Sequence, residues 1–319
     1  VHVYSAALKL RFRGLTVRQG VLFEGPAGWA EFAPFVEYGD DEAANWLRAA
    51  HEAAFLGFPQ PVRTHVPVNV TVPATDAERA FDLVRASNGC TTAKVKVAEK
   101  GQTLSDEVAR LEAVRAALGP SGKIRVDANG GWDVETARAR LAVLDRAAGG
   151  LEYAEQPCAQ VEELAQLRRT VNVLIAADES IRRAEDPLRV AELEAADVMV
   201  VKVAPLGGVR RCLELVEQIG LPVVVSSALD SSVGLSAGLA LAAALPELPF
   251  ACGLATSQLF VSDVTPEPLL PVDGQIAVRP VVPEPGRLAA LAAPEADAQW
   301  WRERTRRVAA RAGIELPVV

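Results

Sequence analysis

Five charged residues, Lys96, Asp127, Glu155, Asp178 and Lys202, stand at or near the ends of short apolar runs rich in β-branched residues. The runs read T-A-K-V-K-V, K-I-R-V-D-A-N-G, L-E-Y-A-E-Q-P, L-I-A-A-D-E-S and V-M-V-V-K-V-A-P, and the five charges follow one another at intervals of 31, 28, 23 and 24 residues. Such an interval fits one strand and its return helix. Consecutive βα units then deliver one charged residue each to the same end of a parallel sheet. The rhythm continues through apolar segments at 68–72, 93–97, 124–128, 151–155, 174–178, 198–203, 223–227 and 250–254, with helical windows such as 103–118, 134–147, 161–169 and 209–219 between them. Eight strands alternating with helices predict an α/β fold, a modified (β/α)8 barrel of the TIM type in a (β/α)7β arrangement.

The ends of the chain break this rhythm. Residues 3–12 and 17–23 read as two strands around Gly14, 28–35 (G-W-A-E-F-A-P-F) as an aromatic loop, and 41–56 as an amphipathic helix with Asp40 as candidate N-cap. The stretch 16–28, with Arg18, reads as a lid loop able to close. Residues 263–319 carry Pro266, Pro268, Pro271, Pro280, Pro283 and Pro285 before an arginine-rich helix. The expected division is an α+β capping domain from 1–65, a barrel with the active site from 66–262, and a segment 263–319 that packs back on the cap.

Composition narrows the function. In 319 residues the net charge is −8, which argues against a nucleic-acid face. The four cysteines (Cys90, Cys158, Cys212, Cys252) are scattered without a C-x-x-C, so reduced thiols are expected rather than disulfides or structural zinc. Three histidines leave little material for a His-based zinc site or a Ser-His-Asp triad. The apolar stretch 236–245 is too short to span a membrane and reads as a buried barrel helix. A cytoplasmic enzyme is expected, with a monomer compatible. The chain starts at Val1 rather than Met, so a few initial residues are expected to be missing.

In a parallel barrel, catalytic groups collect where strands end. Side chains alternate, so Lys94 shares a face with Lys96, and Arg125 with Asp127. The same rule separates Asp178 from Glu179, and the in-facing phase of Ala176 selects Asp178. Asp127, Glu155 and Asp178 offer hard oxygens from separate strands, which suit Mg²⁺, with Mn²⁺ as substitute. A cation there stabilises the enolate formed when a proton leaves the carbon next to a carboxylate. Lysine is a poor base at its free pKa of about 10.4, but a nearby cation and a second ammonium favour its neutral form. Ordinary rim salt bridges would explain one such carboxylate; they do not explain five charges in order.

With these residues placed, the chain resembles the enolase superfamily in its muconate-lactonizing branch. The matching pieces are K-V-K at Lys94 to Lys96, D-A-N-G at Asp127, E-Q-P at Glu155, A-D-E-S at Asp178 and V-K-V-A-P-L-G-G at Lys202. The segments G-W-A-E-F-A-P-F, S-S-A-L-D-S-S-V-G from Ser226 and C-G-L-A-T from Cys252 are similar to those of a dehydrating subgroup that acts in menaquinone biosynthesis. The resemblance implies a lyase that removes water from 2-succinyl-6-hydroxy-2,4-cyclohexadiene-1-carboxylate with Mg²⁺. It implies Asp127, Glu155 and Asp178 as metal ligands and Lys96 as the base that takes the α-proton and then protonates the departing hydroxyl. Lys202 would stabilise the enediolate from the opposite face, and Lys94 would help lower the pKa of the base. Arg125 either orients the substrate or a ligand, or serves as an ion-pair partner. Ser226, Ser227 and the backbone near Gly253 line a pocket for the succinyl arm, unless the serines cap the next helix.

The expected partner is a small-molecule carboxylate, with no nucleic acid and no membrane. An N-acylamino-acid racemase or dipeptide epimerase would use the same five residues. A barrel glycosidase would leave both lysines unexplained, and 5% aromatic residues offer it few sugar platforms. A non-catalytic metal-binding barrel would have no use for the lysine pair.

Overall fold

The chain opens on alternating apolar and polar residues, and it folds there as an antiparallel meander. Strands β1 (His2–Phe12), β2 (Leu15–Gly25) and β3 (Gly28–Phe32) pair in that order. A computed structural model describes the whole chain except residues 13, 184, 185 and 317–319. Two expectations are corrected. Residues 28–32 form a strand rather than an aromatic loop, because Ala30 and Phe32 pair with Phe23 and Val21 inside the cap core. The stretch 16–28 is mostly β2 rather than a lid loop. Helix α1 (Asp40–His51) is capped by Gly39 without a side-chain hydrogen bond, and a π-helical turn, Glu52–Leu56, extends it. Asp40, expected as the cap, lies one residue later, in an acidic first turn that suits the helix dipole.

After β4 (His65–Pro67) come the parallel strands. They are β5 (Val70–Val72), β6 (Thr92–Lys96), β7 (Lys123–Asp127), β8 (Tyr153–Glu155), β9 (Ile175–Ala177), β10 (Val198–Val201) and β11 (Val223–Val225). Each pairs with the next in sequence, giving one seven-stranded sheet. Around it run α2 (Ala77–Arg85), α3 (Leu104–Leu118), α4 (Val134–Ala148), α5 (Val161–Arg168), α6 (Glu179–Arg182), α7 (Arg189–Glu192), α8 (Val203–Leu206), α9 (Val209–Ile219) and α10 (Ser232–Ala244). Local chemistry starts several of these: the side chains of Asp76, Thr103, Asp133 and Ser231 each accept a hydrogen bond from an amide of the first turn.

The eighth strand expected at 250–254 is reduced to two parallel bridges, Val68 with Cys252 and Ser226 with Gly253. The Cys252 amide donates to Pro67 and the Gly253 amide to Val225, so this short stave closes the ring on both sides. Ala251-Cys252-Gly253 lacks β-branched residues, and at Gly253 the neighbouring chain is very close. A Cβ on Gly253 would lie 2.6 Å from the Ser226 hydroxyl.

Inside the ring, Tyr153, Ala176, Val198, Val200 and Val224 pack with Phe250 as an apolar plug. These positions have the same strand parity as Glu155, Asp178, Lys202 and Ser226. The next in-facing residue along each strand therefore emerges above the plug, at the mouth.

The C-terminal segment pairs β12 (Gln275–Ala277) with β4 and continues through α11 (Pro285–Ala290) and α12 (Glu295–Ala312). Helix α12 lies on the N-terminal meander and α1. Arg304 donates to the carbonyls of Phe35 and Tyr38, Trp301 donates to Gln19, and Arg307 and Arg311 pair with Asp40 and Asp41. Phe23, Phe32, Trp46, Trp301 and Val308 share one core.

Two buried carboxylates tie this cap to barrel helices. Glu52 accepts from the amides of Val209 and Arg210 at the start of α9, at 2.5 and 3.2 Å. Glu31 of β3 accepts from the Ser231 amide at 3.1 Å and from the Ser231 hydroxyl, at the start of α10. Burial, and then the charge of Asp230, push the Glu31 carboxyl up from 4.5 to about 7, against the opposing pull of Ser231 and Arg18. A carboxyl raised on folding gives stability that is complete below its unfolded pKa and is lost as pH rises through its folded one. Urea denaturation from about pH 4.5 to pH 8 should show Glu31→Gln flattening that decline, by up to about 1.4 kcal/mol per pH unit.

Candidate active site

Lys96, Asp127 and Glu155 are the last residues of β6, β7 and β8, and the sheet register sets Lys96 beside Asp127 and Asp127 beside Glu155. Asp178 and Lys202 are the first residues beyond β9 and β10. The three carboxylates are no more than 1% exposed, Lys94 is 6% and Lys202 7%. Unpaired charges could not persist at such depth. Lys94 Nζ lies 2.9 Å from both Glu155 oxygens and 3.2 Å from Asp127 Oδ2. Lys96 Nζ lies 2.6 Å from Asp127 Oδ2 and 2.7 Å from Asn129 Oδ1. Lys202 and Arg182 take the two oxygens of Asp178.

The electrostatics follow these contacts. Burial works against ionisation of Asp127, but Lys96 and Lys94 hold its carboxyl well below the usual range. Asp178 is likewise held low by Lys202 and Arg182 against its burial. Glu155 goes the other way. Burial, then the charges of Asp127 and Asp178, push it up to about 7 despite Lys94 and Lys202. Lys94 is desolvated, yet Glu155 and Asp127 raise it above the ordinary lysine value. For Lys202, burial outweighs Asp178 and lowers it.

A cleft of about 420 Å³ opens over the group, bordered by Lys94, Lys96, Asp127 and Lys202 and by Ser226, Ser227, Leu229 and Gly253. Glu155 and Asp178, bonded to Lys94 and Lys202, are not among its walls. Phe12, at the tip of the β1–β2 hairpin, also borders the cleft, and its ring lies 5.7 Å from Lys96 Nζ. The cap reaches the cleft here through a strand tip.

Arg125 does not join the mouth. Its position is two residues earlier on β7, and there it donates to Glu152 at 2.6 Å, Ala251 O at 2.7 Å and Asn69 at 3.1 Å, with Tyr153 and Phe250 against its guanidinium. It is fully buried below the charged layer and links β7 to the closing stave. Of the two expectations for Arg125, this geometry is that of an ion-pair partner, to Glu152. The serines do border the cleft and do not cap α10, whose cap is Ser231. Ser227 shares a 2.6 Å hydrogen bond with Thr256, and Ser226 donates to Gly253 O at 3.4 Å.

Other residues of the site escaped the sequence reading. Asn129 accepts from Lys96 and donates to Glu179 at 3.3 Å, joining the first carboxylate run to the third. Its signal was present, because D-A-N puts it two residues after Asp127. Gln156, in E-Q-P, is wholly buried; its oxygen accepts from the amides of Asp178 and Ser180, and its nitrogen donates to Cys158 O and Ser180 Oγ. Arg182 follows Asp178 by one helical turn. Phe12 and Leu229 left no local trace, since only the fold brings them to the cleft.

Among the described residues, no three His, Cys, Asp or Glu side chains converge as a cage for a cation. Ammonium and guanidinium groups hold the oxygens instead. The donor chemistry nevertheless fits a hard divalent cation. Three carboxylates from neighbouring strands offer hard oxygens at one level, and burial with two acidic neighbours pushes Glu155 up. Asp127, Glu155 and Asp178 are the residues that could hold it.

The fold and this ordered charge set define a barrel enzyme of the enolase superfamily, and the chain matches that superfamily's Enolase C-terminal domain-like family over residues 76–287 and its Enolase N-terminal domain-like family over 3–54. The chain is 60% identical to an o-succinylbenzoate synthase of Thermobifida fusca over 98% of its own length and 96% of the relative's. It is 59% identical to that of Mycolicibacterium smegmatis, covering 95% and 93%, and 53% identical to that of Mycobacterium tuberculosis, covering 96% and 92%. It belongs to the o-succinylbenzoate synthase family. Among solved structures, a muconate lactonizing enzyme from Pseudomonas fluorescens matches its fold with a TM-score of 0.78 at 20% identity, covering 92% of this chain and 97% of that one. The L-Ala-D/L-Glu epimerase of Bacillus subtilis matches with 0.75 at 19%, covering 88% and 95%.

Gln156 offers a test of how this site is held. Gln156→Leu would orphan the buried amides of Asp178 and Ser180, and urea denaturation should show a loss of about 2–3 kcal/mol.

Proposed function

We infer that the chain catalyses dehydration of 2-succinyl-6-hydroxy-2,4-cyclohexadiene-1-carboxylate to o-succinylbenzoate, a step of menaquinone biosynthesis. Full-length kinship to o-succinylbenzoate synthases carries this reading, and the charged mouth supplies chemistry that suits it. Lys96 is the base. Its Nζ borders the cleft, anchored by Asp127 and Asn129, and takes the proton α to the carboxylate. The C–H electron pair moves into the carboxylate as an enediolate. It then returns to the ring as the C–O bond breaks, and Lys96 gives its proton to the leaving hydroxyl, so that water departs and the ring becomes aromatic. Lys202 faces the same cleft from β10, four strands away, and sets its charge against the enediolate. Asp127, Glu155 and Asp178 would hold Mg²⁺, with Mn²⁺ as substitute, and the bound ion would add charge stabilisation to the enediolate. Lys94 joins Glu155 to Asp127 and keeps positive charge beside the base. Ser226, Ser227 and the Gly253 backbone form the wall offered to the succinyl arm.

We take residues 1–65 and 263–319 as one cap over a 66–262 barrel, with 317–319 outside the described residues. We place the reaction in the cytoplasm; no helix among the described residues is long and apolar enough to cross a membrane.

Following the aromatic product by absorbance tests the reading. Purified protein with Mg²⁺ should turn over the cyclohexadiene. If it does not, and instead exchanges α-deuterium on N-succinylamino acids, the racemase reading replaces this one. Lys96→Ala and Lys202→Ala should each cost about three orders of magnitude in rate, or ~4 kcal/mol of transition-state stabilisation. Chelation should abolish turnover and added Mg²⁺ restore it, while Asp127→Asn should weaken Mg²⁺ binding in a calorimetric titration.

A further inference from the structure

The loop after β11 is held in a shape it would not choose. Leu229 borders the cleft and is 1% exposed, and its backbone has φ +65°, in the left-handed region that L side chains rarely adopt. Two local bonds bend the loop: the Ala228 amide donates to Asp230 at 3.0 Å and the Leu229 amide to Ser227 Oγ at 3.3 Å. Neither reaches the carbonyls. Those are held from outside the barrel. Arg18, a β2 residue only 3% exposed, donates from Nε to Leu229 O at 3.0 Å and from Nη2 to Ala228 O at 3.5 Å.

The guanidinium is itself fixed. It also donates to Ala33 O and to Gln19 O, and its carbon lies 4.6 Å from the centre of the Phe35 ring. Its donors go to backbone carbonyls at three places, 19 and 33 in the cap and 228–229 in the barrel. Only a planar, multi-donor head can span such a set; a lysine ammonium offers one point charge.

We propose that Arg18 is a positioning residue for catalysis: it fixes the strained 228–229 backbone from the cap, so that Leu229 forms the cleft wall at the required place. The proposal rests on reading the cleft as the substrate site. It makes the cap a builder of the pocket wall as well as its cover. Arg18 touches none of the reacting groups and acts through Leu229.

The test compares Arg18→Lys and Arg18→Met with wild type. In both, amide hydrogen exchange over 226–231 should speed up, and KM should rise about tenfold with kcat within about threefold. Calorimetric Mg²⁺ affinity should be unchanged. Leu229→Gly removes the conformational penalty, so adding Arg18→Lys to it should raise KM less than in wild type. Unchanged exchange over 226–231 would overturn the proposal, as would a kcat loss with KM intact. If Arg18→Met does not fold, Arg18→Lys decides alone. Should wild type fail to turn over the cyclohexadiene, the functional reading falls, while exchange at 226–231 still decides the part played by Arg18.

Discussion

Three carboxylates and three lysines share a space with little access to water, and none of the carboxylates could be there alone. Removing one such charge from water costs several kcal/mol, and only close opposite charge offsets it. The pairs Lys94–Glu155, Lys96–Asp127 and Lys202–Asp178 meet that requirement within about one layer of the barrel. The rest of the architecture serves the same constraint. Parallel strands bring the charges to one level, the apolar plug closes the floor beneath them, and the cap limits access from above. Burial and its two acidic neighbours make Glu155 the carboxyl that is pushed up, while Asp127 and Asp178 are held low.

The cap and the barrel are stitched by hydrogen bonds that cross between them at both helix starts and loops. Glu52 reaches the start of α9, Glu31 the start of α10, and Arg18 the loop between β11 and α10. All three are buried, and all three bind backbone rather than side chains alone. Backbone contacts of this kind transmit position, which matters more for a pocket wall than strength does.

Much of the site could be read in the sequence because strand parity is strict. Parity alone separated Asp178 from Glu179, and Asp178 is the one bonded to Lys202. The same parity misled at Arg125: facing inward is not facing the mouth, and one layer deeper an arginine meets Tyr153 and Phe250 rather than a ligand. The aromatic run at 28–32 looked like a loop because its glycine and single acidic residue masked the pairing with β2. Asn129 and Gln156 lay beside recognised residues and were open to the same spacing argument. Phe12, Arg18 and Leu229 were not, because contacts between distant parts of the chain, such as Arg18 to Leu229 across 211 positions, leave no local pattern.

The closing stave sets a limit on how this pocket can diverge. A Cβ at Gly253 would lie 2.6 Å from the Ser226 hydroxyl, and Gly253 is held in the ring by a single bridge. Added bulk on that wall requires the Ser226 side chain to turn aside, with no longer strand to support the change. A change of shape is accommodated more cheaply at the hairpin tip that carries Phe12, which borders the same cleft without belonging to the ring.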